Sequence, residues 1–533
     1  MIKKLLNLIY EALGKMMGYK TITDAFDLND SAVSDEMSDA MELWKSMYKD
    51  ESPWLDDLKG IYSLGLPKQI CQSIQQQTLS EMETSITEPG VDDETSEDKN
   101  DAIDTRAKFL NDVYIKRLVK KLPQSFEKGL ALGGMIIKPY MSNGQLYLDF
   151  NYQGEFYPIS FDDDGNIIDI AFFDQFTSGK YIFTKIERQT FSQDKKMVVV
   201  ENKAFKAQIR NTDDDTEQEL GQEIPLASVN RWSGISEEPV IIDNVEKPLY
   251  GYFKVPLANN VDLKSPLGMS IFSPAISLIQ RADEQFSRLD WEYKGGQLAI
   301  DVDPTAVTYS EGYYGTLTNL DDVQDRLYRR LDMGADDTYK AWSPALRDAN
   351  YISGLNVYTN KIEDMLGLAR GTLSQVESEA RTATEIKLLK QRTYITVSAL
   401  QEALEQCLLD SVYAMNVFTE LYNLAPAGDY DTNIDWKDSI LTDTDTELEQ
   451  KLNLQNAGIL SKAEVRAWYT GESIEAAQLE IDKMQEQNQA NMLNDLFTSQ
   501  ATNNENTLES GENDTDNIDK NVDKSNPESS EEE

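Results

Sequence analysis

A single apolar stripe of helical period constrains the middle of this chain more than any other pattern. The stripe recurs at alternating three- and four-residue steps, at Ile271, Ala275, Leu278, Ala282, Phe286, Leu289 and Tyr293. Ser273 and Pro274 suit an N-cap and first turn, because the hydroxyl accepts an orphan N–H and proline has no N–H to lose. Residues 274–294 thus predict a rigid strut about 31 Å long that ends at Gly295 and Gly296. Four charged residues lie off the stripe: Asp283, Glu284, Arg288 and Glu292.

A second helical strut follows a small intervening module. Residues 297–302 predict a strand, and after it short strands mix with a helix-like run at 323–331. Helical character returns after Pro344 and stops near Gly367, with an apolar stripe at Leu355, Tyr358, Ile362 and Met365. The order of helix, module and helix predicts a small domain carried on two struts, and the sequence leaves open whether the struts pair.

Residues 135–200 carry the strand signals. Their strand-like runs are separated by turn pairs such as Asn143-Gly144 and Asp164-Gly165, whose residues tolerate positive φ. The acidic run at 162–165 also resembles the start of a calcium loop, but the required spacing and closing glutamate are missing, so a plain turn is favoured. The segment predicts an antiparallel β meander, and the chain as a whole an α+β protein with several domains and long helices.

A very long helix is predicted in the C-terminal part of the chain. Residues 382–385 form a capping box, which satisfies two orphan donors reciprocally, and the apolar stripe then continues to Leu424. Such a helix would be about 60 Å long. The polar residues 371–381 before it lack an apolar period and are predicted to be a loop. Short helices are expected after Pro426, and the acidic residues 501–533 are expected to be disordered.

The residue composition argues against most classes of enzyme. The chain has no histidine, which removes the commonest general base and the commonest metal ligand. The sequence contains no phosphate loop, dinucleotide-binding fingerprint or nucleophile elbow. Its two cysteines, Cys71 and Cys407, lie in apolar helical contexts that suit a reducing cytoplasm. We therefore expect no catalytic residues, no cofactor and no bound metal.

The charge and hydropathy of the chain limit its partners. A formal net charge of −44 argues against a protein that grips nucleic acid, because DNA binding draws its affinity from Lys and Arg on phosphates. No run of about 18 apolar residues occurs, so no membrane span is predicted. Residues 1–19 superficially resemble a signal peptide, but their polar interruptions and helical spacing favour an amphipathic docking helix over a membrane anchor.

Several short pieces of sequence follow one another in a telling order. They are Trp44 with Tyr48, Pro53 and Trp54; Glu127 with residues 131–134 and 138–140; residues 252–254 ahead of Asn259 and Asn260; residues 265–270; and residues 367–369 with 382–386. By their order along the chain, these pieces resemble the portal proteins of tailed bacteriophages, in particular those of siphoviruses that infect Gram-positive hosts. The resemblance covers nearly the whole chain.

The resemblance implies a multi-domain portal fold that assembles as a cyclic ring. The implied parts are a wing (1–270), a first stem helix (271–294), a clip (295–344), a second stem helix (345–368), a tunnel loop (369–381), a long wing helix (382–425), a helical crown (426–500) and an acidic tail (501–533).

The resemblance also implies roles for individual residues. Four residues of the tunnel loop would face DNA: Gln375, Glu377, Glu379 and Arg381. Gly295 and Gly296 would form the junction between stem and clip. The stem helices would pack through Leu278, Ala282, Phe286, Leu289, Tyr358 and Ile362.

The implied function is that of a channel rather than an enzyme. The ring, a dodecamer in the virion, would stand at one capsid vertex, where double-stranded DNA passes through it during packaging and ejection without sequence-specific binding. The implied partners are the terminase, the head–tail connector or adaptor, and the major capsid and scaffolding proteins, with synthesis in the host bacterial cytoplasm. Two alternatives stay open: a ring or scaffold protein without a DNA channel, and a hydrolase that uses carboxylates.

The strong acidity has two interpretations in this setting. In a channel it would lower friction, because each phosphate neutralised by Lys or Arg adds to affinity and so resists sliding. Alternatively, it keeps a large oligomer soluble. The sequence does not choose between them.

Overall fold

The computed structural model describes most of the chain between residues 25 and 484. The described residues are 25–26, 32–56, 60–89, 105–209, 220–296, 299–302, 328–330, 339–342, 345–375, 383–437, 444–470, 473–474 and 476–484. They fall into two compact units, residues 1–441 and 442–533. The predicted docking helix at 1–19, the residue Thr382 of the predicted capping box and the predicted disordered tail lie outside the described residues.

Helices and mainly antiparallel strands alternate along the described chain. The helices are α1 (Asp35–Tyr48), α2 (Leu66–Leu79), α3 (Arg106–Val113), α4 (Leu122–Leu132), α5 (Ile276–Gly295), α6 (Asp348–Leu366), α7 (Ala383–Leu421), α8 (Thr444–Asn456) and α9 (Lys462–Thr470). The strands are β1 (Glu83–Thr87), β2 (Gly134–Ser142), β3 (Gln145–Tyr152), β4 (Phe156–Phe161), β5 (Ile167–Ser178), β6 (Tyr181–Ser192), β7 (Met197–Gln208), β8 (Gln222–Ile224), β9 (Val240–Asp243), β10 (Gly251–Lys254), β11 (Ala299–Val302), β12 (Tyr328–Arg330), β13 (Tyr339–Trp342) and β14 (Asp431–Asp435). The predicted α+β class is confirmed.

The main core of the first unit forms where the helices meet a small sheet. α1 begins where the Ser34 hydroxyl accepts the Met37 N–H at 3.3 Å, and it buries its methionines and Trp44. A π-helical turn, Tyr114–Val119, links α3 to α4 and buries Tyr114 and Leu118 in the same core. α7 packs across β2 and β10, and α5 and α6 add the faces that carry Ile279 and Ile362.

The predicted meander is divided between two sheets. β2 pairs with β3 and β10 in a three-stranded antiparallel sheet, whereas β4 to β8 follow one another in a second sheet, with β9 also on β7. The hairpin between β2 and β3 turns at Asn143 and Gly144, both with positive φ, as predicted. β2 is buried on both faces, because Met135 and Ile137 lie in the helical core while Ile136 packs against Phe156 and Ile170 of the second sheet. β6 instead alternates buried and more exposed positions.

The acidic turn at 162–165 is organised by its own side chains. Asp162 Oδ1 accepts the N–H groups of Asp164 and Asn166 at 3.0 and 2.7 Å, and Gly165 adopts positive φ. The carboxylate is therefore engaged as a turn former, as expected of an aspartate in this position.

Two local predictions were wrong. Ser273 is not an N-cap, because Ser273–Ala275 form a 3₁₀ turn without a side-chain cap and α5 begins at Ile276; the burial of Phe272 and Ala275 sets this turn. Residues 328–330, within the predicted helix-like run, form β12, which pairs in parallel with β11. In β12, tertiary pairing overrides local propensity. Residues 431–435, which precede the expected short helices, form β14 and pair with β1.

The long helix is confirmed with a slightly earlier end. α7 spans 39 residues, about 58 Å at 1.5 Å per residue, and it ends because Asn423 takes a left-handed conformation. Within the described part of the chain, none of the helices combines the length and apolar content that a bilayer crossing needs.

The second unit contains α8 and α9. Ser461 and Glu464 form a capping box at the start of α9: the Ser461 N–H donates to Glu464 Oε2 at 2.6 Å, and the Glu464 N–H donates to Ser461 Oγ at 3.1 Å. The buried face consists of Ala463, Ala467 and Ala477, packed against Ile481. This small helical core is built from residues of low volume.

Candidate functional site

The two predicted struts, α5 and α6, form an antiparallel helical pair. Gln285 in the middle of α5 donates to the Tyr351 carbonyl near the start of α6 at 3.3 Å. Near the C-terminal end of α5, the Arg347 guanidinium donates two hydrogen bonds to the Glu292 carboxylate, from Nη2 to Oε2 at 2.8 Å and from Nε to Oε1 at 3.1 Å. The hydrogen bonds to Arg347 hold the pKa of the Glu292 carboxyl below its usual range. The question that the sequence left open is thereby answered, since the struts pair directly.

Gly295 and Gly296 lie at the C-terminal end of α5, and the two glycines differ in what they face. A Cβ on Gly296 would overlap the Leu346 side chain, which precedes α6, whereas a Cβ on Gly295 would meet nothing within 4 Å. The Gly296 N–H closes the helix on the Glu292 carbonyl at 2.8 Å. A side chain at position 296 would therefore displace Leu346 where the two struts approach each other, whereas position 295 has open space.

The predicted packing residues of the helical pair divide by depth. Ala282 and Ile362 are fully buried, while Leu278, Phe286, Leu289 and Tyr358 are half-buried. Met365 was wrongly assigned to the packed stripe of α6, because it is 49% exposed and the buried residues of this helix are Thr359, Ile362, Glu363 and Leu366. The buried stripe of α6 therefore ends at Leu366 instead of Met365, and it includes the carboxylate of Glu363.

Asp283 corrects the predicted stripe of α5. It was placed off the packed face, but it is only 1% exposed, and its carboxylate accepts the indole N–H of Trp54 at 2.9 Å and the Leu64 N–H at 2.8 Å. Nearby, the Tyr62 N–H donates to the Ser287 hydroxyl at 2.9 Å. Burial raises the pKa of Asp283. One face of α5 thus holds the segment between α1 and α2 through polar contacts.

The helical pair also presents apolar side chains to solvent. Trp291 of α5 is 72% exposed and Val357 of α6 is 56% exposed. Tyr293 and Leu346 are exposed to a smaller extent. These side chains are available for contact with another molecule.

The loop predicted to face DNA starts directly after α6. Gln375 is exposed, whereas Glu377, Glu379 and Arg381 lie outside the described residues. Residues 363–374, which we call the loop base, are described in full. The structure therefore defines how the loop leaves the helical pair.

Glu363 holds the loop base from inside the protein. Its side chain has 0% exposure, and Oε1 accepts the N–H groups of Gly371, Leu373 and Ser374 at 3.2, 2.6 and 2.9 Å. The Ser374 hydroxyl donates to Oε2 at 2.9 Å. All four donors are neutral, so the chain folds around the carboxylate as a nest of N–H groups folds around an anion.

Asp364, the next residue, connects the loop base to α7. Its carboxylate accepts from Arg370 at 3.0 Å and from Arg392 of α7 at 2.9 Å, and Arg392 also donates to the Asp364 carbonyl at 3.0 Å. The hydrogen bond from Arg370, with that from Arg392, holds the pKa of Asp364 below its usual value. The end of α6 is thus tied to both flanking elements by neighbouring carboxylates.

Two threonines of α7 complete the loop base. The Ala369 N–H donates to Thr393 Oγ1 at 2.8 Å, and Thr396 Oγ1 donates to the Gly367 carbonyl at 3.4 Å. Gly367 adopts φ +69°, and a Cβ there would overlap the Thr396 hydroxyl. Glycine is therefore required at this helix end by both its backbone and its neighbour.

Sequence reasoning missed the residues that fix the loop base: Glu363, Asp364, Arg370, Arg392 and Thr393. One local signal was available for Glu363, which falls within an i, i+3, i+4, i+7 stripe beginning at Thr359. A carboxylate on the buried face of a helix requires specific donors, so it marks a structured neighbourhood. No local signal identified Arg392, whose partner lies 28 residues away.

The described residues offer little for chemistry. Among them, no three His, Cys, Asp or Glu side chains are arranged to hold a metal ion. Burial raises the pKa of the Cys71 and Cys407 thiols, which suits inert core cysteines. A shallow groove along α7 is lined by Ser398, Gln401, Glu402, Glu405, Gln406, Leu409 and Trp436.

Comparison with known proteins identifies a family. Residues 87–492 match the model of the family described as phage portal protein, SPP1 Gp6-like. No curated protein matches the chain. The matched range includes the helical pair, the loop base and α7.

Proposed function

The chain belongs to the SPP1 Gp6-like family of phage portal proteins, and we therefore propose that it forms the ring-shaped channel through which double-stranded DNA enters and leaves the capsid. The family is a structural, non-enzymatic one whose members stand at a capsid vertex. The ring would be a dodecamer in the virion, and the protein would be made in the host bacterial cytoplasm.

The proposed parts of the ring subunit follow the order of the sequence. Residues 1–270 and α7 form the wing, α5 and α6 the stem, residues 295–344 the clip and residues 369–381 the tunnel loop. The crown would comprise the helical residues between 426 and 500 that follow β14, since β14 itself pairs with β1. Each assignment rests on the family resemblance together with the elements observed in that range.

One observation supports the proposal beyond family membership, namely two strongly exposed apolar side chains on the helical pair, Trp291 of α5 and Val357 of α6. A strut that buries one side in its own subunit and exposes Trp291 and Val357 on the remainder is suited to a second contact. Neighbouring subunits around a ring would bury these side chains. Gly295 and Gly296 would lie at the junction where stem passes into clip.

The charge of the chain fits a channel that releases DNA. A net charge of −44 provides few cations for phosphate, so a DNA duplex would pass without strong binding. By the same proposal, Gln375, Glu377, Glu379 and Arg381 project towards DNA. Solubility of a large assembly remains the alternative role for this charge.

The proposed partners follow from the position at the vertex. The clip would dock the terminase during packaging and the head–tail connector or adaptor afterwards. The wing and crown would meet the major capsid and scaffolding proteins. These contacts are general to the proposed role, and no residues are assigned to them.

Negative-stain microscopy of the purified full-length protein tests the proposal. We expect rings with a central hole and a mass many times the 60.4 kDa of one chain. Rings or other assemblies without an open hole would favour a different scaffold protein. A clean monomer at micromolar concentration and moderate salt, or turnover of a nucleotide or DNA, would contradict the proposal.

A further inference from the structure

The strongest unexplained group in the described residues is the buried carboxylate of Glu363. A fully buried ionisable side chain without a cationic partner is unfavourable unless every lone pair finds a donor. Here three backbone N–H groups and one hydroxyl from residues 371–374 supply those donors. Because all four donors come from residues 371–374, these hydrogen bonds fix the chain that follows α6 against the end of that helix.

The direction of the outgoing chain is fixed by these bonds. A single oxygen, Oε1, accepts from Gly371, Leu373 and Ser374, which curls that segment around one point. Gly371 also has positive φ, +98°, which allows the tight turn. Glu363 therefore contributes directly to the position of Ser374 relative to α6.

The same point is tied to α7. Asp364 holds Arg392, and Thr393 accepts the Ala369 N–H, so α6, the loop base and the first described side chains of α7 are joined. A displacement of α6 would consequently be carried to the chain at residue 374 through Glu363. The contacts hold the loop base as one piece with the helices around it.

We propose that Glu363 positions the 369–381 loop, by setting where and in which direction the chain leaves the end of α6. This inference rests on the proposed function only in taking that loop to face DNA. Because its side chain is fully buried, Glu363 would act as a positioning residue and not as a contact to DNA. Its effect on DNA passage would be exerted through the loop.

The first measurement is amide hydrogen exchange on assembled full-length protein. Glu363→Gln keeps the shape of the side chain and one acceptor oxygen, but it removes the negative charge and puts an NH₂ group where the Ser374 hydroxyl donates. Hydrogen bonds to a neutral acceptor are weaker than those to a carboxylate, so exchange at Gly371, Leu373 and Ser374 should accelerate several-fold. Ser374→Ala should accelerate exchange less at Leu373 and Ser374, because it removes one donor to Glu363, and Ser374→Thr should preserve the wild-type rate. Gly371 is left out of this comparison, because its N–H also donates to Ser374 Oγ at 3.1 Å. Asp283→Asn is the matched control, since it changes a buried carboxylate with neutral donors elsewhere in the helical pair.

The second measurement is the amount of DNA packaged into capsids that carry these variants. Glu363→Gln should reduce packaging several-fold while rings still form, and Asp283→Asn should package normally. Combined with deletion of residues 375–379, Glu363→Gln should add no further loss, because residues that act through one another are not additive.

The outcomes separate the two hypotheses. Unchanged exchange at the three amides, or faster exchange with normal packaging, would overturn the positioning role of Glu363. If Glu363→Gln does not fold, Ser374→Ala against Ser374→Thr decides the same question. Normal packaging after the deletion would instead remove the DNA-facing role of the loop, and exchange alone would then decide whether Glu363 positions it.

Discussion

Arg347 and Glu292 join the ends of two helices that run in opposite directions, with both guanidinium-to-carboxylate bonds formed and the Arg347 N–H donating to the same carboxylate at 3.0 Å. The two residues are separated by 55 positions in sequence, and the whole segment proposed as the clip lies between them. The contact therefore joins the two helix ends at which that segment begins and ends.

Reversing one charge of this contact should destabilise the pairing of the two helix ends. Glu292→Arg or Arg347→Glu alone places like charges together, so each should lower the thermal midpoint, whereas the double swap should restore most of the loss. Differential scanning calorimetry of the four proteins measures this coupling. Equal losses in the swap and the single variants would show that the contact is not specific.

Gly296→Ala should destabilise the protein by about 1 kcal/mol, because the added methyl would displace the partly exposed Leu346 side chain and would lie 2.9 Å from the Glu292 carbonyl oxygen. Gly295→Ala is the paired control and should be close to neutral, since its Cβ meets open space. Midpoints of denaturant unfolding compare the two variants. Adding Leu346→Ala should rescue Gly296→Ala, and a failure to do so would place the strain elsewhere.

The stability contributed by Asp283 should fall as pH rises. Burial raises its pKa in the folded state above the unfolded value, so its favourable contribution is complete below the unfolded pKa, about 3.9, and is lost as pH rises through the folded pKa. The stability of wild type relative to Asp283→Asn should therefore decrease with pH across this window. Urea titrations at several pH values test the sign, and an increasing difference would be inconsistent with a raised pKa.

Ring assembly should become easier as salt rises. Adjacent acidic subunits repel, and screening shortens this repulsion to about 8 Å near physiological ionic strength. Sedimentation of the full-length protein over a salt series gives the ring fraction. A steady decline in rings with salt would mean that attractive ion pairs dominate between subunits.

Deleting residues 375–379 should spare ring formation and impair DNA packaging. The deletion begins after Ser374, so the hydrogen bonds of the loop base are retained. Ring formation is followed by microscopy and packaging by protection of DNA inside capsids. Packaging at wild-type level would remove the tunnel-loop assignment.

Local patterns predicted the helices well, because periodicity acts over a few residues. The stripe of α5 and the long stripe of α7 gave helices close to their observed bounds. Hairpin chemistry likewise predicted the turn at Asn143 and Gly144. These features need no information from distant parts of the chain.

Predictions failed where distant residues decide the outcome. The burial of Asp283 depends on Trp54 and Leu64, more than 200 positions away, and no helical pattern records that partnership. β12 was taken for part of a helix, and β14 was not predicted, because their strand partners lie elsewhere in the sequence. The loop base was missed for the same reason, since Arg392 and Thr393 meet it only after the chain has turned back.

The pairing of β1 with β14 sets a condition on biosynthesis. β1 can pair only after β14 has been synthesised. The ribosome must therefore add more than 340 residues after β1 before this two-stranded sheet can form. Arg106, which is buried and donates to the Pro426 carbonyl at 2.8 Å, also waits for that late segment. Contacts of such long range form slowly, and until then a strand edge and a buried cation lack their final partners. A subunit truncated before residue 431 would therefore leave β1 without its partner strand, and a truncation that also removes Pro426 would leave Arg106 without the Pro426 carbonyl contact.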